Sequence, residues 1–193
     1  MRVILGIGNP GNLYKANRHN AGFILLDYFA KSHSLLFTPS KSDFYFCEGV
    51  IQDSKFLLVR PKTFINNSGT AAHFIIHNNG LAPQDLLVVH DDMNLEISKI
   101  KIKISGGDGG HNGVSSIIFH LESDKFPRLR IGIGNKFEKG EMAEYVLSNF
   151  TREEKINLND SFKFSSYLIE QFIIGGIKQL LDANSKAAES NKN

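Results

Sequence analysis

The chain has 193 residues, of which 41% are hydrophobic and 22% charged, an ordinary composition for one globular domain. The formal net charge of +2 is too small to identify a nucleic-acid-binding protein, so the positions of the charges must decide. The single cysteine, Cys47, excludes an intramolecular disulfide and a cysteine-based metal cluster. No apolar run reaches the roughly 18 residues that span a membrane, and the N-terminus lacks a signal-peptide pattern, so we expect a cytoplasmic protein.

Hydrophobic patterning predicts strands and helices that alternate along the chain. In chain order they are strand 3–8, a loop over 9–18, helix 21–34 capped by Asn20, strands 44–51 and 55–59, a helix from Ser68 to 79–80, strands 85–90 and 97–104, helix 112–121 capped by Asn112, strand 129–134, and a long helix over 151–183 interrupted at Gly175-Gly176.

This alternation predicts the fold class. Interleaved strands and helices indicate a single α/β domain over residues 1–184, with a twisted mixed β-sheet flanked by helices on both faces. Residues 185–193 are polar and lack apolar periodicity, so we expect a disordered C-terminal tail.

A glycine-rich segment after the first strand matches the dinucleotide-binding pattern GxGxxG, with glycines at positions 6, 8 and 11. That pattern requires the third glycine in the first turn of a helix, whereas the helix pattern here begins only near Asn20. We therefore expect no nucleotide cofactor. The glycines are instead expected to let the backbone turn and to place Asn9 at the end of the strand.

Polar residues cluster where the apolar runs end. The clusters are Asn9, His19-Asn20, Asn66-Asn67, His90-Asp91-Asp92 and His111-Asn112. In open α/β sheets, ligand sites gather at the carboxyl ends of strands. The clusters supply a titratable base, a carboxylate and several amides, but no serine elbow, reactive thiolate or metal-ligand set. Such a set suits activation of water for attack on a neutral carbonyl.

Three other histidines are candidates for base or metal chemistry. His111 is the second candidate base, but its glycine neighbours indicate that it shapes a loop. His73 and His77 have the i, i+4 spacing of a metal pair, yet no third ligand accompanies them. We expect these two to lie on an exposed helix face, and we expect no metal.

These motifs together resemble the signature blocks of the bacterial-type peptidyl-tRNA hydrolases, in the family's order from residue 3 to about residue 150. The blocks are Gly6-x-Gly8-Asn9-Pro10-Gly11-x-x-Tyr14-x-x-x-Arg18-His19-Asn20-x-Gly22-Phe23, Pro61-Lys62-Thr63-Phe64-Ile65-Asn66-Asn67-Ser68-Gly69, His90-Asp91-Asp92, Gly106-Gly107-Asp108-Gly109-Gly110-His111-Asn112-Gly113 and Arg128-Leu129-Arg130-Ile131-Gly132-Ile133-Gly134. Ile65 and Ser105 depart from the family's usual Met and Gly, and neither position supplies a catalytic group.

The resemblance implies hydrolysis of the ester bond between a peptide and the 3′ end of tRNA, which recycles tRNA from prematurely terminated translation. It implies that His19 is the general base and that Asp91 orients its imidazole. It also implies that Asn9 senses the acylated amino group of the substrate. Apart from the resemblance, the sequence leaves open whether Asp91 or Asp92 faces His19.

The resemblance further assigns residues to tRNA binding. Asn66 and Asn112 would bind the 3′ end, and Tyr14 and Phe64 would contact the unpaired CCA end by stacking. The basic patch, defined as Lys101, Lys103 and Arg130, would contact the acceptor stem and the 5′ phosphate. Without the resemblance, these cations would be interpreted as side chains on the solvated faces of strands.

Two rival functions remain at this stage. One is a relative that binds RNA without cleaving it, against which the presence of His19, Asp91 and the three asparagines Asn9, Asn66 and Asn112 argues. The other is a nucleotide-cofactor enzyme, which rests on the glycine pattern alone. We expect a cofactor-independent monomer that acts on tRNA.

Overall fold

The computed structural model describes residues 1–190, and residues 191–193 lie outside the described part. The strands are β1 (Arg2–Gly6), β2 (Thr38–Pro39), β3 (Phe44–Ile51), β4 (Ser54–Pro61), β5 (Leu86–Asp92), β6 (Ile100–Lys103) and β7 (Arg128–Gly132). The helices are α1 (Ala21–Ser32), α2 (Ser68–Asn78), α3 (Asn112–Leu121), α4 (Met142–Leu147) and α5 (Arg152–Ser190), with short 3-10 turns at Arg18–Asn20, Ile65–Asn67 and Pro83–Asp85.

All seven strands form one mixed sheet in the order β2-β3-β4-β1-β5-β7-β6. The four central strands, β4, β1, β5 and β7, run parallel, whereas β2, β3 and β6 pair antiparallel at the two sides. The predicted α/β fold with a mixed sheet is confirmed.

The helices cover both faces of this sheet because its central strands are apolar on both sides. On β1, Ile4 packs with residues of α1 and α5, such as Phe29 and Phe172, on one face. Its neighbour Leu5 packs with residues of α2 and α3, such as Ile75, on the other. Side chains that alternate along a strand thus feed two separate hydrophobic layers.

The glycines after β1 serve close packing more than turning. A Cβ on Gly8 would lie 2.7 Å from the Phe23 ring, and a Cβ on Gly22 would lie 2.4 Å from the carbonyl oxygen of Val89. Of the three pattern glycines, only Gly11 has a positive φ, 99°. Glycine therefore lets α1 approach the strand ends, which brings His19, just before this helix, close to β5.

The end of the chain differs from the prediction. The expected interruption of the long helix is confirmed, because Gly176 has non-helical angles (φ 66°, ψ −153°) inside α5. The helix is longer than the sequence pattern predicts, since α5 continues through Ser190. Residues 185–190 are thus helical, and the rest of the expected tail lies outside the described residues. No helix in the described part is long and apolar enough to span a membrane.

Candidate active site

A cavity of about 290 Å³ lies at the carboxyl ends of the parallel strands. His19, Asp91 and Asn112 line it on one side, and Lys103 and Arg130 line it on another. A further side is the α4 wall, which we define as Met142, Ala143, Val146 and Leu147. The fold therefore brings together polar residues that lie far apart in the sequence, as the strand-end argument predicts.

His19 is held by a single carboxylate. Its Nδ1 lies 2.9 Å from Oδ2 and 3.0 Å from Oδ1 of Asp91, so the Nδ1–H donates to this carboxylate. The other ring nitrogen, Nε2, has no partner among the described residues. Asp92 instead accepts from the guanidinium of Arg130, with Nε 2.5 Å from Oδ2. The geometry therefore answers the question that the sequence left open, because Asp91 rather than Asp92 faces His19.

The charges of this pair follow from burial and attraction. Burial alone would raise the pKa of Asp91, but His111 and His19 attract and hydrogen-bond the carboxylate and hold its pKa well below the usual range. Burial tends to lower the pKa of His19, yet the charge and hydrogen bond of Asp91 outweigh it and raise that pKa above its ordinary value. Asp91 is thus ionised across the physiological range, and its charge favours the protonated form of His19.

His111 is the second donor to Asp91. Its Nδ1 accepts the backbone N–H groups of Gly113 at 3.1 Å and Val114 at 3.4 Å, so it caps the N-terminus of α3. The proton must then be on Nε2, which lies 2.9 Å from Asp91 Oδ1. Neither nitrogen is free to accept a proton, which favours His19 over His111 as the base. The same tautomer leaves Nε2 without a lone pair for a metal ion.

Two expectations about caps are corrected by this arrangement. Asn112 is the first residue of α3, and the cap is His111, which the sequence had assigned only to shaping the loop. Asn20 makes no capping bond to α1. Its side chain instead pairs with the backbone of Asn9, accepting from the N–H at 2.8 Å and donating to the carbonyl at 2.9 Å. α1 lacks the predicted cap because a tertiary contact takes up the Asn20 side chain, whereas α3 begins one residue earlier than predicted and is capped by His111.

His90 is a buried neighbour of the cluster, and its role was missed from the sequence. Its Nδ1–H donates to the backbone carbonyl of Asp91 at 2.7 Å, which fixes the end of β5. Burial, with the nearby ring of His111, lowers the pKa of His90 to about 3, so this imidazole stays neutral. Its position directly before Asp91 in the strand was the available signal.

Asn9 is held on both sides. Its Oδ1 accepts the backbone N–H of Ile65 at 3.0 Å, while Asn20 holds its backbone. This leaves the Nδ2 amide hydrogens without a partner in the described structure. Asn9 can therefore donate a hydrogen bond to a ligand from a fixed position.

The remaining 3′-end candidates lie near Asn9. The rings of Tyr14 and Phe64 meet edge to face with centroids 6.2 Å apart, and Phe64 is 57% exposed. Asn66 is exposed in the 3-10 turn that follows Phe64. These side chains are accessible to a ligand, but they do not line the cavity that contains His19 and Asn112.

Two of the three cations of the basic patch line the cavity that contains the histidines. Lys101 pairs in register with Arg130 across β6 and β7. Lys103 and Arg130 line the same cavity as His19, whereas the exposed Lys101 does not line it. Lys103 and Arg130, which the sequence places in a basic patch away from the His and Asn cluster, therefore lie at that cluster instead.

Arg128, on the same strand, has a separate structural role. It is 1% exposed, and its guanidinium donates to the carbonyl oxygens of Gly107 at 2.7 Å and Gly106 at 2.5 Å. Arg128 thus anchors the glycine-rich loop that leads to His111.

His73, His77 and Cys47 lie outside the site. The two histidines are exposed on α2 with nearly parallel rings, as expected from their spacing. Cys47 is buried in β3, and burial raises the pKa of its thiol to about 11, so it packs and does not react.

Together these features define an α/β protein whose cavity has a carboxylate-held histidine. Among the described residues that line this cavity there is no serine, threonine or cysteine that could act as a nucleophile. A cavity of this kind is suited to activating water.

Comparison with known proteins gives the family. The family model described as "Peptidyl-tRNA hydrolase" matches residues 3–192. The chain is 37% identical over 178 residues to the "Peptidyl-tRNA hydrolase" of Lachnospira eligens, covering 92% of this chain and 96% of that protein. It is 42% identical over 153 residues to the one of Enterococcus faecalis, covering 79% and 81%. The crystal structure of peptidyl-tRNA hydrolase from Acinetobacter baumannii matches with a TM-score of 0.88 at 29% identity, covering 95% and 93%. This chain belongs to the peptidyl-tRNA hydrolase family.

Proposed function

We propose that this protein hydrolyses the ester bond between a peptide and the 3′ end of tRNA, with His19 as the general base. The observation that carries the proposal is the hydrogen bond from His19 Nδ1 to Asp91, at 2.9 Å, in a chain of this family. This bond puts the proton on Nδ1 and leaves the Nε2 lone pair for a water molecule.

The chemistry follows from that tautomer. Nε2 accepts a proton from water while the water oxygen bonds to the ester carbonyl carbon. The resulting tetrahedral intermediate then breaks the bond between this carbon and the oxygen of the terminal ribose. The imidazolium returns the proton to the ribose oxygen, so the products are the free peptide acid and the free tRNA. Asp91 stabilises the imidazolium between the two proton transfers, as the carboxylate of a catalytic triad does.

The asparagines supply recognition in this proposal. Asn112, at the cavity, and Asn66 bind the 3′ end and polarise the ester carbonyl. Asn9 presents its free amide hydrogens to the carbonyl of the first peptide bond. The uncharged amide of Asn9 does not attract a charged ammonium group. This contact therefore favours an N-blocked substrate over free aminoacyl-tRNA.

The tRNA is bound by two surfaces, one of aromatic side chains outside the cavity and one of cations that partly line it. Tyr14 and Phe64 offer aromatic faces for the unpaired terminal bases. The basic patch faces the acceptor stem and its 5′ phosphate, which explains how a chain with a net charge of only +2 binds RNA. We further propose that the protein acts as a cytoplasmic monomer without a cofactor and recycles tRNA from prematurely terminated translation.

An ester-cleavage assay tests this function directly. The wild-type protein should release free tRNA from an N-acetylated aminoacyl-tRNA, and it should cleave the unblocked aminoacyl-tRNA far more slowly. A protein that binds tRNA but cleaves neither substrate would be an RNA-binding relative, and the proposal would be wrong. Equal cleavage of the two substrates would refute the role of Asn9.

A further inference from the structure

Arg18, directly before His19, is a buried cation whose charge is neutralised inside the protein. Its side chain is 7% exposed. Its guanidinium forms an ion pair with Glu154 at the start of α5: Nη2 donates to Oε1 at 3.1 Å, and Nη1 lies 2.9 Å from Oε2 without making a hydrogen bond. A hydrogen bond between two charged groups of this kind restrains the orientation of both side chains as well as their separation.

The same guanidinium also holds the segment that follows α4. Its Nε donates to Ser148 Oγ at 3.1 Å, and the Arg18 backbone N–H donates to the Ser148 carbonyl at 2.9 Å. The guanidinium carbon lies 4.6 Å from the centre of the Tyr145 ring and 5.1 Å from the centre of the Phe150 ring. Arg18 is therefore surrounded by cation–π, hydrogen-bond and ion-pair contacts from three successive parts of the chain.

These contacts join two sides of the cavity. His19 lies on one side, and the α4 wall, which includes Val146 and Leu147, forms another. Arg18 does not line the cavity itself, so it acts on the reaction only through these neighbours. Burying a cation carries a large desolvation cost, and removing its partner leaves an uncompensated charge in the interior. An ion pair on the protein surface would hold α4 at a smaller desolvation cost, but it would restrict the position of His19 less.

We infer that Arg18 is a positioning residue: paired with Glu154, it fixes the imidazole of His19 relative to Asp91 and to the α4 wall. The inference rests on the proposed function for its kinetic consequence, because a shift of about 1 Å in a catalytic group costs up to about 10²-fold in rate. Its consequence for the hydrogen bond between His19 and Asp91 is independent of any substrate.

The ionisable groups around this arrangement are few. Asp91 from β5 and His111, before α3, contact His19. Glu154 from α5 and the phenol of Tyr145 from α4 face Arg18. Burial tends to raise the pKa of Glu154, but the hydrogen bonds from Arg18 and from the Thr151 backbone lower it below its ordinary value. Glu154 therefore stays ionised above its lowered pKa, and its carboxylate attracts the guanidinium of Arg18.

The decisive variant is Glu154→Gln, with Glu153→Gln as its matched control. Both remove one negative charge from the first turn of α5, but Glu153 is exposed and makes no hydrogen bond or ion pair with the described residues. Three quantities are measured well below the melting temperature: the pKa of the His19 imidazole by NMR, and kcat and KM on an N-acetylated aminoacyl-tRNA.

In Glu154→Gln, we expect the His19 pKa to fall by about half a unit, because the contact with Asp91 that raises it becomes looser. We expect kcat to fall about tenfold with KM within threefold of wild type, since the base rather than the tRNA contacts is displaced. Glu153→Gln should match wild type in all three quantities. Arg18→Lys, which keeps the charge but cannot donate to Ser148 and Glu154 from a planar guanidinium, should lie between wild type and Glu154→Gln.

Ser148→Ala provides a milder second test, because it removes only the Nε hydrogen bond of Arg18 and one bond to Tyr145. It should change the His19 pKa and kcat in the same direction by a smaller amount. If Glu154→Gln does not fold, Ser148→Ala is the variant that tests the positioning role of Arg18. A lower melting temperature with unchanged His19 titration and kcat would mean that Arg18 only stabilises the fold, which overturns the inference. If the wild type cleaves no ester, the proposed function fails, but the NMR titration still tests the positioning of His19.

Discussion

The two sides of the cavity are built on different principles. On the histidine side, Asp91 is 3% exposed and receives hydrogen bonds from His19 and His111 in fixed tautomers. On the side of the basic patch, Lys103 reaches only a backbone carbonyl at 3.2 Å, and Lys101 is exposed. The first is a rigid, partly dehydrated arrangement suited to chemistry. The second has lysine side chains with few contacts inside the protein, which suits them to binding phosphates. Substitutions on the two sides should therefore affect different kinetic constants.

The largest effect is expected from His19→Ala. A general base acts in the transition state, so kcat on an N-acetylated aminoacyl-tRNA should fall at least about 10²-fold, with tRNA affinity near that of wild type. The fold should persist, because His111 still donates to Asp91. Single-turnover kinetics, a tRNA-binding titration and a thermal melt measure the three quantities. A variant that kept more than about a tenth of wild-type turnover would exclude His19 as the base.

A smaller but diagnostic loss is expected from Asp91→Asn. The amide keeps a hydrogen-bond acceptor but no longer stabilises the imidazolium, so kcat should fall by about 10- to 100-fold. Asp91 raises the pKa of His19, so its loss lowers that pKa, and the acid limb of the pH–rate profile should move to lower pH. The acid limb moves to lower pH because only the neutral imidazole accepts a proton.

Asp92→Asn is the matched control, since Asp92 pairs with Arg130 and does not contact His19. It should leave the acid limb in place. If Asp92→Asn moved the limb and Asp91→Asn did not, the assignment of the carboxylate would be reversed.

The smallest effect is expected on the binding side, from Lys103→Ala. Loss of one phosphate contact should raise KM for full-length peptidyl-tRNA a few-fold with kcat close to wild type. The slope of log K against log salt should flatten by roughly 0.7 to 0.9. Measurements at two salt concentrations, on the full-length substrate and on an ester of the terminal nucleotide alone, separate the two sides of the cavity.

Lys101→Ala is the comparison variant, because Lys101 is exposed on the same strand but does not line the cavity. It should change KM less than Lys103→Ala does. An equal loss for Lys103→Ala on the short and full-length substrates would mean that Lys103 supports the site itself. Arg130→Ala is a less clean test, because it also leaves the buried carboxylate of Asp92 without its partner.

The sequence predicts the parts of this protein that depend on local pattern. Alternating apolar residues locate the strands, and the polar residues that follow them locate the edge of the sheet at which the site forms. The sequence cannot show which tautomer His111 adopts, because this is fixed by the N–H groups of Gly113 and Val114 at the start of α3. It also misassigns Asn20, since a cap and a backbone clamp have the same local pattern and differ only in tertiary contacts.

The position of the basic patch relative to His19 is a second feature that depends on tertiary contacts and cannot be predicted from the sequence. Strand periodicity correctly places the lysines on one face, but the register between β6 and β7 determines how near they lie to His19. Register depends on pairing across the sheet, which one strand's sequence does not contain. The sequence likewise gives no indication that Arg18 and Glu154 form a pair, because 136 residues separate them along the chain.

The central claim, that neutral His19 activates the attacking water, is tested most directly by comparing two pKa values in the wild-type protein. NMR titration gives the pKa of His19 in the free protein, and the acid limb of kcat/KM gives the pKa of the essential base in that same state. The account predicts that the two values coincide above the ordinary histidine value of about 6.5, because Asp91 raises the His19 pKa. An acid limb that lies more than about one unit from the His19 titration would contradict it.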